Sequence, residues 1–307
     1  MIGTGTPLIR IGTRASALAL AQAEWVAKRL QSDTELVPIT TAGDRGAAVQ
    51  DKSRWVSELE RALLERRIEI AVHSAKDVPA ELADGLELVA IPARADPRDA
   101  ICGAPSLAAL HSGARVGTSS LRRAAQIHAA RQDLEVISVR GNVDTRLRKL
   151  GEGQFDAVVL AFAGLQRLGR ADAVGGLLTE LVPAPGQGAL ALEARPGALS
   201  SGVLAPLIDP AASACVSAER ELVNALGASC RTPVGAHARI SDGGTVELTG
   251  WVGLPDGSAW VRDELRGRPG GLGREVAERM LAAGAGELLR QAGESGLLRQ
   301  AGESGVG

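Results

Sequence analysis

The sequence predicts two doubly wound α/β lobes joined by a double hinge, followed by a small α+β domain with a three-stranded antiparallel sheet. The first observation is that strand-like and helix-like segments alternate between residues 8 and 207, as in parallel sheets covered by helices. The second is an internal repeat, because the strand-to-helix turn at residues 10–16 recurs at residues 115–123. The third is a change of pattern after residue 211, where strong turn signals separate strand-like runs.

The first lobe is expected to follow the order strand, helix, strand, helix, strand. Apolar runs rich in β-branched residues indicate strands, and apolar residues with a 3.6-residue period indicate helices. The expected strands are residues 8–12, 36–40, 68–72 and 86–91, and the expected helices are residues 15–30 and 55–66. The polar, glycine-bearing residues 41–54 lack periodicity and are expected to form a mobile loop.

The second lobe repeats this order after a crossing at Pro92 and the polar residues 93–99. Its elements are strands at residues 115–117, 136–139 and 155–160, with helices starting near residue 118 and spanning residues 144–150. The proline-rich residues 181–190 are expected to be the return hinge, and residues 189–207 then complete the first lobe. The expected domains are residues 1–92 with 189–208, residues 93–188, and residues 211–307.

The C-terminal part is expected to be a small antiparallel sheet covered by helices. The sequence indicates helices at residues 211–226 and 272–290, and strands at residues 236–240, 246–252 and 260–265. The tail repeats L-L-R-Q-A-G-E-S-G at residues 288–296 and 297–305. A unit this short cannot build a solenoid, so the second copy is expected to be a frayed extension.

Composition excludes several classes of partner. A net charge of -2 and an aromatic content of 2% give no reason to expect a nucleic acid as partner. The chain has no run of about eighteen apolar residues, so we expect no membrane partner and a cytoplasmic location. Cys102, Cys215 and Cys230 lack C-x-x-C spacing, and with four scattered histidines they predict no metal site. Cys102 and Cys215 lie in apolar contexts and are expected to be packing residues.

One candidate reaction centre is the stretch E-I-A-V-H-S-A-K-D-V-P at residues 69–79, where an apolar strand leads into ionisable groups. Ligands of open α/β sheets bind beyond the carboxyl ends of strands, which is where Ser74, Lys76 and Asp77 are expected. Taken alone, Lys76 and Asp77 could equally be a solvated ion pair on a surface loop.

The two G-T turns predict anion binding. Each lies where a strand meets the N-terminus of a helix, so free backbone N–H groups and nearby hydroxyls can receive an anion. The hydroxyl and guanidinium groups expected at these turns and in the adjoining elements are Ser16, Thr118, Ser119, Ser120, Arg14, Arg122, Arg123, Arg140 and Arg146. Any single arginine is more simply explained as surface charge, but five at equivalent turns favour a substrate with several carboxylates. Phosphate remains an alternative ligand, although the P-loop pattern of nucleotide-binding proteins does not occur.

Cys230 lies in the loop G-A-S-C-R-T-P beside Arg231. A neighbouring cation lowers the pKa of a thiol and raises its reactivity, although a lone loop cysteine is often only a small apolar residue. The sequence therefore leaves both a reactive and a structural Cys230 open.

Six motifs together resemble the porphobilinogen deaminase family. They occur in the expected order and cover the chain from about residue 8 to the final helix: H-S-A-K-D-V-P, G-T-S-S-L-R-R, R-G-N-V-D-T-R-L, A-G-L-Q-R-L-G, P-A-P-G-Q-G-A and G-A-S-C-R-T-P. The resemblance implies a monomeric transferase that condenses four porphobilinogen molecules head to tail into hydroxymethylbilane. It also implies a dipyrromethane primer, held by a thioether to Cys230, on which the chain grows.

The resemblance further implies a division of roles among the site residues. Asp77 would be the catalytic carboxylate, stabilising the positive charge that develops when porphobilinogen loses ammonia. The same carboxyl group could also donate a proton to the leaving amine and later help to remove the proton from the attacked α-carbon, and the sequence leaves this balance open. The carboxylates of the cofactor and substrate would be bound by Arg14, Ser16, Ser74, Lys76, Thr118, Ser119, Ser120, Arg122, Arg123, Arg140, Arg146 and Gln187. In the loop at residues 41–54 the sequence departs from the longer, glycine-rich family pattern, with Lys52 and Trp55 as the expected counterparts of its lysine and aromatic residue. This departure bears on how that loop covers the cleft expected between the lobes.

A two-lobed anion-binding protein of the periplasmic type is the alternative, because hinged α/β lobes with arginines describe that class as well. Such a protein would need export and would have no use for a reactive cysteine or a third domain. The two hypotheses therefore differ in whether the purified protein carries a covalent primer.

Overall fold

The computed structural model describes residues 8–40, 53–79, 81–228 and 232–303, without side-chain placement at 53–55 and 295–303. The chain divides into two compact units, one formed by Met1–Ala95 with Gly188–Ser213 and the other by Asp96–Gln187 with Ala214–Gly307. The predicted C-terminal sheet therefore groups with the second lobe. Among the described residues no single helix is long and apolar enough to span a membrane. One pair of helices with a bend between them, Ser201–Leu207 and Pro210–Ala225, reaches the required length and hydropathy together, on length and composition alone.

The described secondary structure comprises strands and helices in the following order along the chain. The strands are β1 (Ile9–Arg14), β2 (Thr34–Ile39), β3 (Ile70–Ser74), β4 (Glu87–Ala90), β5 (Asp99–Cys102), β6 (Arg115–Gly117), β7 (Glu135–Ile137), β8 (Ala157–Ala161), β9 (Gly176–Leu178), β10 (Leu190–Ala194), β11 (Val234–Ile240), β12 (Val246–Gly253) and β13 (Trp260–Gly267). The helices are α1 (Ala17–Ala27), α2 (Ser53–Leu64), α3 (Leu121–Ala130), α4 (Val143–Gly151), α5 (Phe162–Arg167), α6 (Ser201–Leu204), α7 (Pro210–Ala225), α8 (Pro269–Ala282) and α9 (Ala285–Glu303).

The first unit is a five-stranded sheet with helices on both faces. Its strand order is β2-β1-β3-β10-β4, with β1 parallel to β2 and β3, and β10 antiparallel to β3 and β4. Ile70 and Val72 pack on the α1 face of the sheet, whereas Ala71 packs on the α2 face with Leu59. Because side chains alternate along a strand, His73 faces α2 and Ser74 faces α1.

The second unit contains a sheet with the same topology. The order is β7-β6-β8-β5-β9, with β6 parallel to β7 and β8, and β5 antiparallel to β8 and β9. The antiparallel strand comes from the returning chain in the first sheet and from the crossing chain in the second. The predicted internal repeat and the two α/β lobes are thereby confirmed.

The second unit also contains the predicted three-stranded antiparallel sheet, in the order β11-β12-β13. Its core joins Leu248 of β12 to Leu222 of α7 and to Val276 and Met280 of α8, all fully buried. The α+β C-terminal part of the fold prediction is therefore confirmed.

Two expectations for the C-terminal helix were wrong. Residues 272–290 are not one helix, because α8 ends at Ala282 and α9 begins at Ala285. Gly284 lies between them with φ of 100°, a left-handed conformation that favours glycine. In the second tail repeat, the backbone of residues 297–303 continues helix α9 instead of fraying, and residues 304 and 305 lie outside the described residues.

Most of the loop expected at residues 41–54 lies outside the described residues, and the following helix begins at Ser53. Lys52 is among the residues that are not described. The expected loop behaviour stays a prediction.

Candidate functional site

A pocket lies in the first unit beyond the carboxyl ends of the parallel strands β1 and β3. Aliphatic side chains from α1, α2 and β3 form part of its lining. Its polar lining consists of Arg14, Ser16, Gln22, His73, Ser74 and Asp77. The position agrees with the general rule for open α/β sheets. The pocket brings together four of the predicted site residues: Arg14, Ser16, Ser74 and Asp77.

Arg14 and Ser16 stand at the junction of β1 and α1. Arg14 is the last residue of β1, and Ser16 caps α1, its hydroxyl oxygen accepting a hydrogen bond from the Ala19 N–H at 3.4 Å. The other N–H groups of the first turn of α1 have no carbonyl of the same helix to bind, so this turn favours a negative charge. A guanidinium beside a helix N-terminus can hold a carboxylate.

Ser74 and Asp77 enter the pocket from the end of β3. The Gln22 amide donates to Ser74 Oγ at 2.9 Å, and Ser74 Oγ can donate to Gln22 Oε1 at 3.2 Å. A short 3₁₀ turn, Ala75–Asp77, follows, in which Lys76 and Asp77 are half-buried. The Ala75 N–H donates to the Ala189 carbonyl at 3.0 Å. The turn that carries Asp77 is thus anchored to the returning segment of its own unit.

A buried ionisable pair lies beside this pocket. His73 Nε2 is 2.8 Å from Glu193 Oε2, and the side chains are only 4% and 0% exposed. Glu193 Oε1 is also buried and has no hydrogen-bond partner in the described part of the chain. Sequence reasoning assigned no role to either residue. Their separation by 120 positions explains why no local motif reveals the pair.

The hydroxyls of the second predicted anion site surround the start of α3. The Ser120 N–H donates to Thr118 Oγ1 at 3.2 Å, and Ser120 Oγ accepts from the Arg123 N–H at 3.4 Å. The Ser119 hydroxyl donates to the Val139 carbonyl. Thr118 is buried, whereas Ser119 is exposed. These contacts confirm that the G-T-S-S turn leads into a capped helix.

Three predicted ligand-binding residues converge on a buried carboxylate that the sequence analysis did not single out. Asp99 is fully buried at the start of β5. Its oxygens lie 2.8 Å from Arg122 Nη2 and from Arg123 Nη2, and one accepts from the Gln187 amide at 2.9 Å. Burial alone would raise the pKa of Asp99, but the charges of Arg122 and Arg123 and the Gln187 hydrogen bond lower it to about 2. Asp99 is therefore ionised at neutral pH.

The remaining contacts of Arg122 and Arg123 are also internal. Arg122 donates to the Val182 carbonyl at 2.7 Å, and Arg123 donates to the Val159 carbonyl at 2.9 Å. Both residues are more than nine-tenths buried. The structure thus directs both guanidinium groups into the second unit, where they join α3 to β5, β8 and the predicted hinge segment.

Three further arginines of the second unit differ from this pair. Arg140 is exposed, three residues beyond the end of β7. Arg146 in α4 donates from Nε to the Gly141 carbonyl at 2.8 Å, and burial with the nearby charge of Arg123 lowers its pKa. Arg167 in α5 was part of the A-G-L-Q-R-L-G motif but was not proposed as a site residue. Burial lowers the pKa of Arg167 to about 10, a sign that its charge lies in a partly dry environment.

Cys230 lies outside the described residues, as do its neighbours Ser229 and Arg231. Cys102 and Cys215 are buried, as predicted for packing residues. Burial raises the pKa of Cys102 to about 11, which suppresses its thiolate. The described residues contain no group of three or more His, Cys, Asp or Glu side chains that could hold a metal ion.

Comparison with known proteins identifies related sequences over nearly the whole chain. The family model for the porphobilinogen deaminase dipyrromethane cofactor binding domain matches residues 9–200, and that for the porphobilinogen deaminase C-terminal domain matches residues 213–282. A porphobilinogen deaminase of Deinococcus deserti is 46% identical and covers 92% of this chain and 97% of its own. One of Thermus thermophilus is 45% identical over 92% of this chain and 99% of its own. A porphobilinogen deaminase of Roseiflexus sp. is 48% identical and covers 91% of this chain and 97% of its own.

Solved structures give more distant likenesses. The BvgS VFT2 domain of Bordetella pertussis shares 17% identity over 66% of this chain and 85% of its own, with a TM-score of 0.36. A TRAP periplasmic solute binding protein from Desulfovibrio salexigens shares 14% identity over 65% of this chain and 74% of its own, with a TM-score of 0.37.

Proposed function

Because the chain belongs to the porphobilinogen deaminase family, whose members are transferases, we propose that it condenses four porphobilinogen molecules head to tail into hydroxymethylbilane. Ammonia leaves at each condensation. The observation that carries this proposal is the pocket at the ends of β1 and β3, where the Asp77 carboxylate shares a lining with Arg14 and Ser16. Porphobilinogen carries carboxylates, which a cation can bind. It also carries a pyrrole N–H, which can donate a hydrogen bond to a carboxylate.

The polar groups that line the pocket also match those of the dipyrromethane cofactor that the family implies. Its rings carry the same acetate, propionate and pyrrole N–H groups as porphobilinogen, so the same mixture of a cation, hydroxyls and a carboxylate suits them. When bound, dipyrromethane supplies the carbon from which the pyrrole chain is extended. We propose that Cys230 holds it through a thioether, and that Arg14, Ser16, Ser74 and Lys76 contact it or the substrate from the first unit.

Asp77 is proposed as the catalytic carboxylate. Loss of ammonia from the aminomethyl group of porphobilinogen leaves positive charge on the pyrrole, and a carboxylate at its N–H stabilises that charge. The 3₁₀ turn holds Asp77 in place through the Ala75 hydrogen bond, so little reorganisation is required as the charge forms. Arg14 lines the same pocket, and its positive charge can bind the carboxylate side chains of the substrate.

The second unit is proposed to contribute two kinds of arginine. Arg140 and Arg146, with Thr118, Ser119 and Ser120, are proposed to bind carboxylates of the growing chain. Two observations support this proposal for the arginines: Arg146 donates to a neutral backbone carbonyl, and Arg140 is exposed to solvent. Arg122, Arg123 and Gln187 were also predicted ligands, but their contacts with Asp99 support a positioning role that fixes the start of α3.

The experiment that tests the function is turnover of porphobilinogen by the purified full chain and by Asp77→Ala. We expect hydroxymethylbilane and ammonia from the wild type, and loss of elongation with an unchanged melting temperature in the variant. Asp84→Asn, an exposed carboxylate of the same unit, is the matched control and should keep wild-type turnover. Near-normal turnover by Asp77→Ala would overturn the assignment of Asp77.

Intact-mass measurement tests the cofactor separately. The wild type should be heavier than its sequence by two pyrrole units, and Cys230→Ser should have the sequence mass. An active preparation of unmodified mass would rule out a covalent primer. The same measurement, together with turnover, separates a deaminase from a two-lobed anion-binding protein. Cytoplasmic location, a monomeric state and the lack of nucleic-acid or membrane partners stay predictions.

A further inference from the structure

The His73–Glu193 pair is the part of the first unit for which the proposed function gives no role. His73 lines the same pocket as Asp77, so an imidazole and a carboxylate share one cavity. The ring is nearly buried, and among the described residues its hydrogen-bond partner is Glu193, which contacts Nε2. An imidazole held in this way is suited to a proton transfer rather than to packing alone.

Glu193 determines which ring nitrogen can act. An ionised carboxylate only accepts hydrogen bonds, so at 2.8 Å from Glu193 Oε2 the Nε2 atom carries the proton. In the neutral imidazole the other nitrogen, Nδ1, then has the lone pair. This arrangement matches the carboxylate–imidazole pairs in which the carboxylate fixes the tautomer and stabilises the imidazolium formed during reaction.

Several charged side chains lie near His73. Glu193 of β10 contacts the ring, Glu60 of α2 interacts electrostatically with both His73 and Glu193, and Arg14 and Asp77 line the same pocket as His73. Burial raises the pKa of Glu60, and the charge of Glu193 adds to this rise. Glu193 Oε1 is buried without a hydrogen-bond partner in the described residues, so Oε2 carries the contact of this carboxylate with the imidazole ring.

The proposed reaction requires a group that accepts a proton. Joining two porphobilinogen units breaks the C–N bond of one, and nitrogen leaves with the electron pair as ammonia. The methylene carbon then bonds to the α carbon of the other pyrrole, and that carbon loses its proton while the C–H electron pair restores the ring. Since the aminomethyl group enters as an ammonium, the released proton and ammonia together balance the charge.

We propose that His73, oriented by Glu193, is the base that accepts this proton on Nδ1 and passes it to water. The inference rests on the proposed function and assigns a second catalytic residue to the pocket of Asp77. Asp77 stabilises the charge created by deamination, and His73 removes the proton when two units are joined. Glu193 is a positioning residue that acts through His73.

The tautomer can be tested without turnover. The chain has four histidines, so long-range ¹H–¹⁵N spectra of the full-length protein contain few imidazole signals, and His73→Gln identifies those of His73. We expect a proton on Nε2 and an unprotonated Nδ1 in the neutral ring, and a mixture of tautomers in Glu193→Gln. A neutral ring with its proton on Nδ1 would overturn the proposal, because no lone pair would then be available there.

Turnover of porphobilinogen by His73→Gln tests the chemistry. The glutamine amide can still donate to Glu193, so the fold and KM should change little, while kcat should fall by about 10²-fold or more. In His73→Ala, added imidazole should restore part of the lost kcat. Wild-type kcat in His73→Gln, or a loss of kcat that imidazole does not reverse, would overturn the proposal.

His111→Gln is the matched control, because His111 is exposed in the second unit and its Nδ1 contacts only the Ser112 carbonyl among the described residues. This variant should behave as the wild type in both measurements. Turnover by the wild type with equal turnover by His73→Gln contradicts this inference alone. An inactive wild type that carries no primer contradicts the proposed function as well.

Discussion

Replacing Asp99 with asparagine should destabilise the second unit strongly. Asp99 is the shared counter-ion of Arg122 and Arg123, and all three side chains are more than nine-tenths buried. Asparagine has nearly the same volume but no charge, and its NH₂ group cannot accept from a guanidinium. The substitution therefore leaves two buried cations without compensation. Breaking a buried ion pair in this way costs about 3–5 kcal/mol.

The pKa of Asp99 gives a second measure of the same interaction. Lowering a carboxyl pKa from 3.8 to about 2 corresponds to about 2 kcal/mol of preference for the ionised form in the folded protein. This is smaller than the cost of the substitution, because protonation leaves a neutral acid that can still accept hydrogen bonds. The two figures agree that Asp99 contributes a few kcal/mol.

Differential scanning calorimetry of the full chain is the assay. For a unit of this size, a loss of about 3–5 kcal/mol lowers the melting temperature by roughly 6–20 °C. Asp96→Asn is the matched control, because Asp96 also pairs with one arginine, at 2.6 Å from Arg98 Nη2, but both side chains are partly exposed. Its cost should be less than about 1 kcal/mol. Equal, small effects of the two variants would refute the reasoning that burial makes the Asp99 cluster important.

Three further predictions concern the same structure. The pKa of Asp99 is depressed in the folded protein, so its contribution to the free energy of unfolding is complete above about pH 4 and is lost as the pH falls towards 2. Acid unfolding of the wild type should therefore start at a higher pH than a stability profile that omits this contribution predicts. The stability advantage of the wild type over Asp99→Asn should shrink across the same pH window. Cys102 should resist alkylation by iodoacetamide at pH 7 in the native protein and react after unfolding, as peptide mass mapping can show, because burial raises its pKa to about 11. Gly176→Ala should cost about 1–3 kcal/mol in urea unfolding, since the new Cβ would lie 1.9 Å from the Pro105 carbonyl oxygen, whereas Gly202→Ala, which meets open space, should be neutral or slightly stabilising.

The lobes could be predicted because their strands and helices carry strong local patterns. Residues 8–12 and 68–72 are apolar and β-branched, and the G-T turns recur with the same neighbours. The strands β5 and β9 could not be predicted in this way. They span only Asp99–Cys102 and Gly176–Leu178, too few residues to show a period, and the pairing of β5 with β8 and of β9 with β5 is long-range. The break at Gly284 had a signal, since a glycine after an alanine-rich helical run is a common helix end.

The candidate site was predicted by residue type more successfully than by orientation. Arg14, Ser16, Ser74 and Asp77 could be brought together because parallel strands end at the same edge of a sheet. The direction of Arg122 and Arg123 could not be inferred, because their internal partner Asp99 lies in a segment that resembles a polar linker. His73 and Glu193 were likewise hidden, since the pair forms only when β10 returns beside β3.

The partner of each arginine determines what its substitution should change. Arg122 and Arg123 both contact Asp99, and a ligand that drew either of them away would leave a buried carboxylate without one of its cations, which is costly. Arg146 donates instead to the neutral Gly141 carbonyl, and Arg140 is exposed, so a ligand carboxylate can add to either without uncovering a buried charge. Substitutions at Arg140 and Arg146 should therefore weaken binding of a polycarboxylate at nearly constant melting temperature. Substitutions at Arg122 and Arg123 should instead lower the melting temperature first.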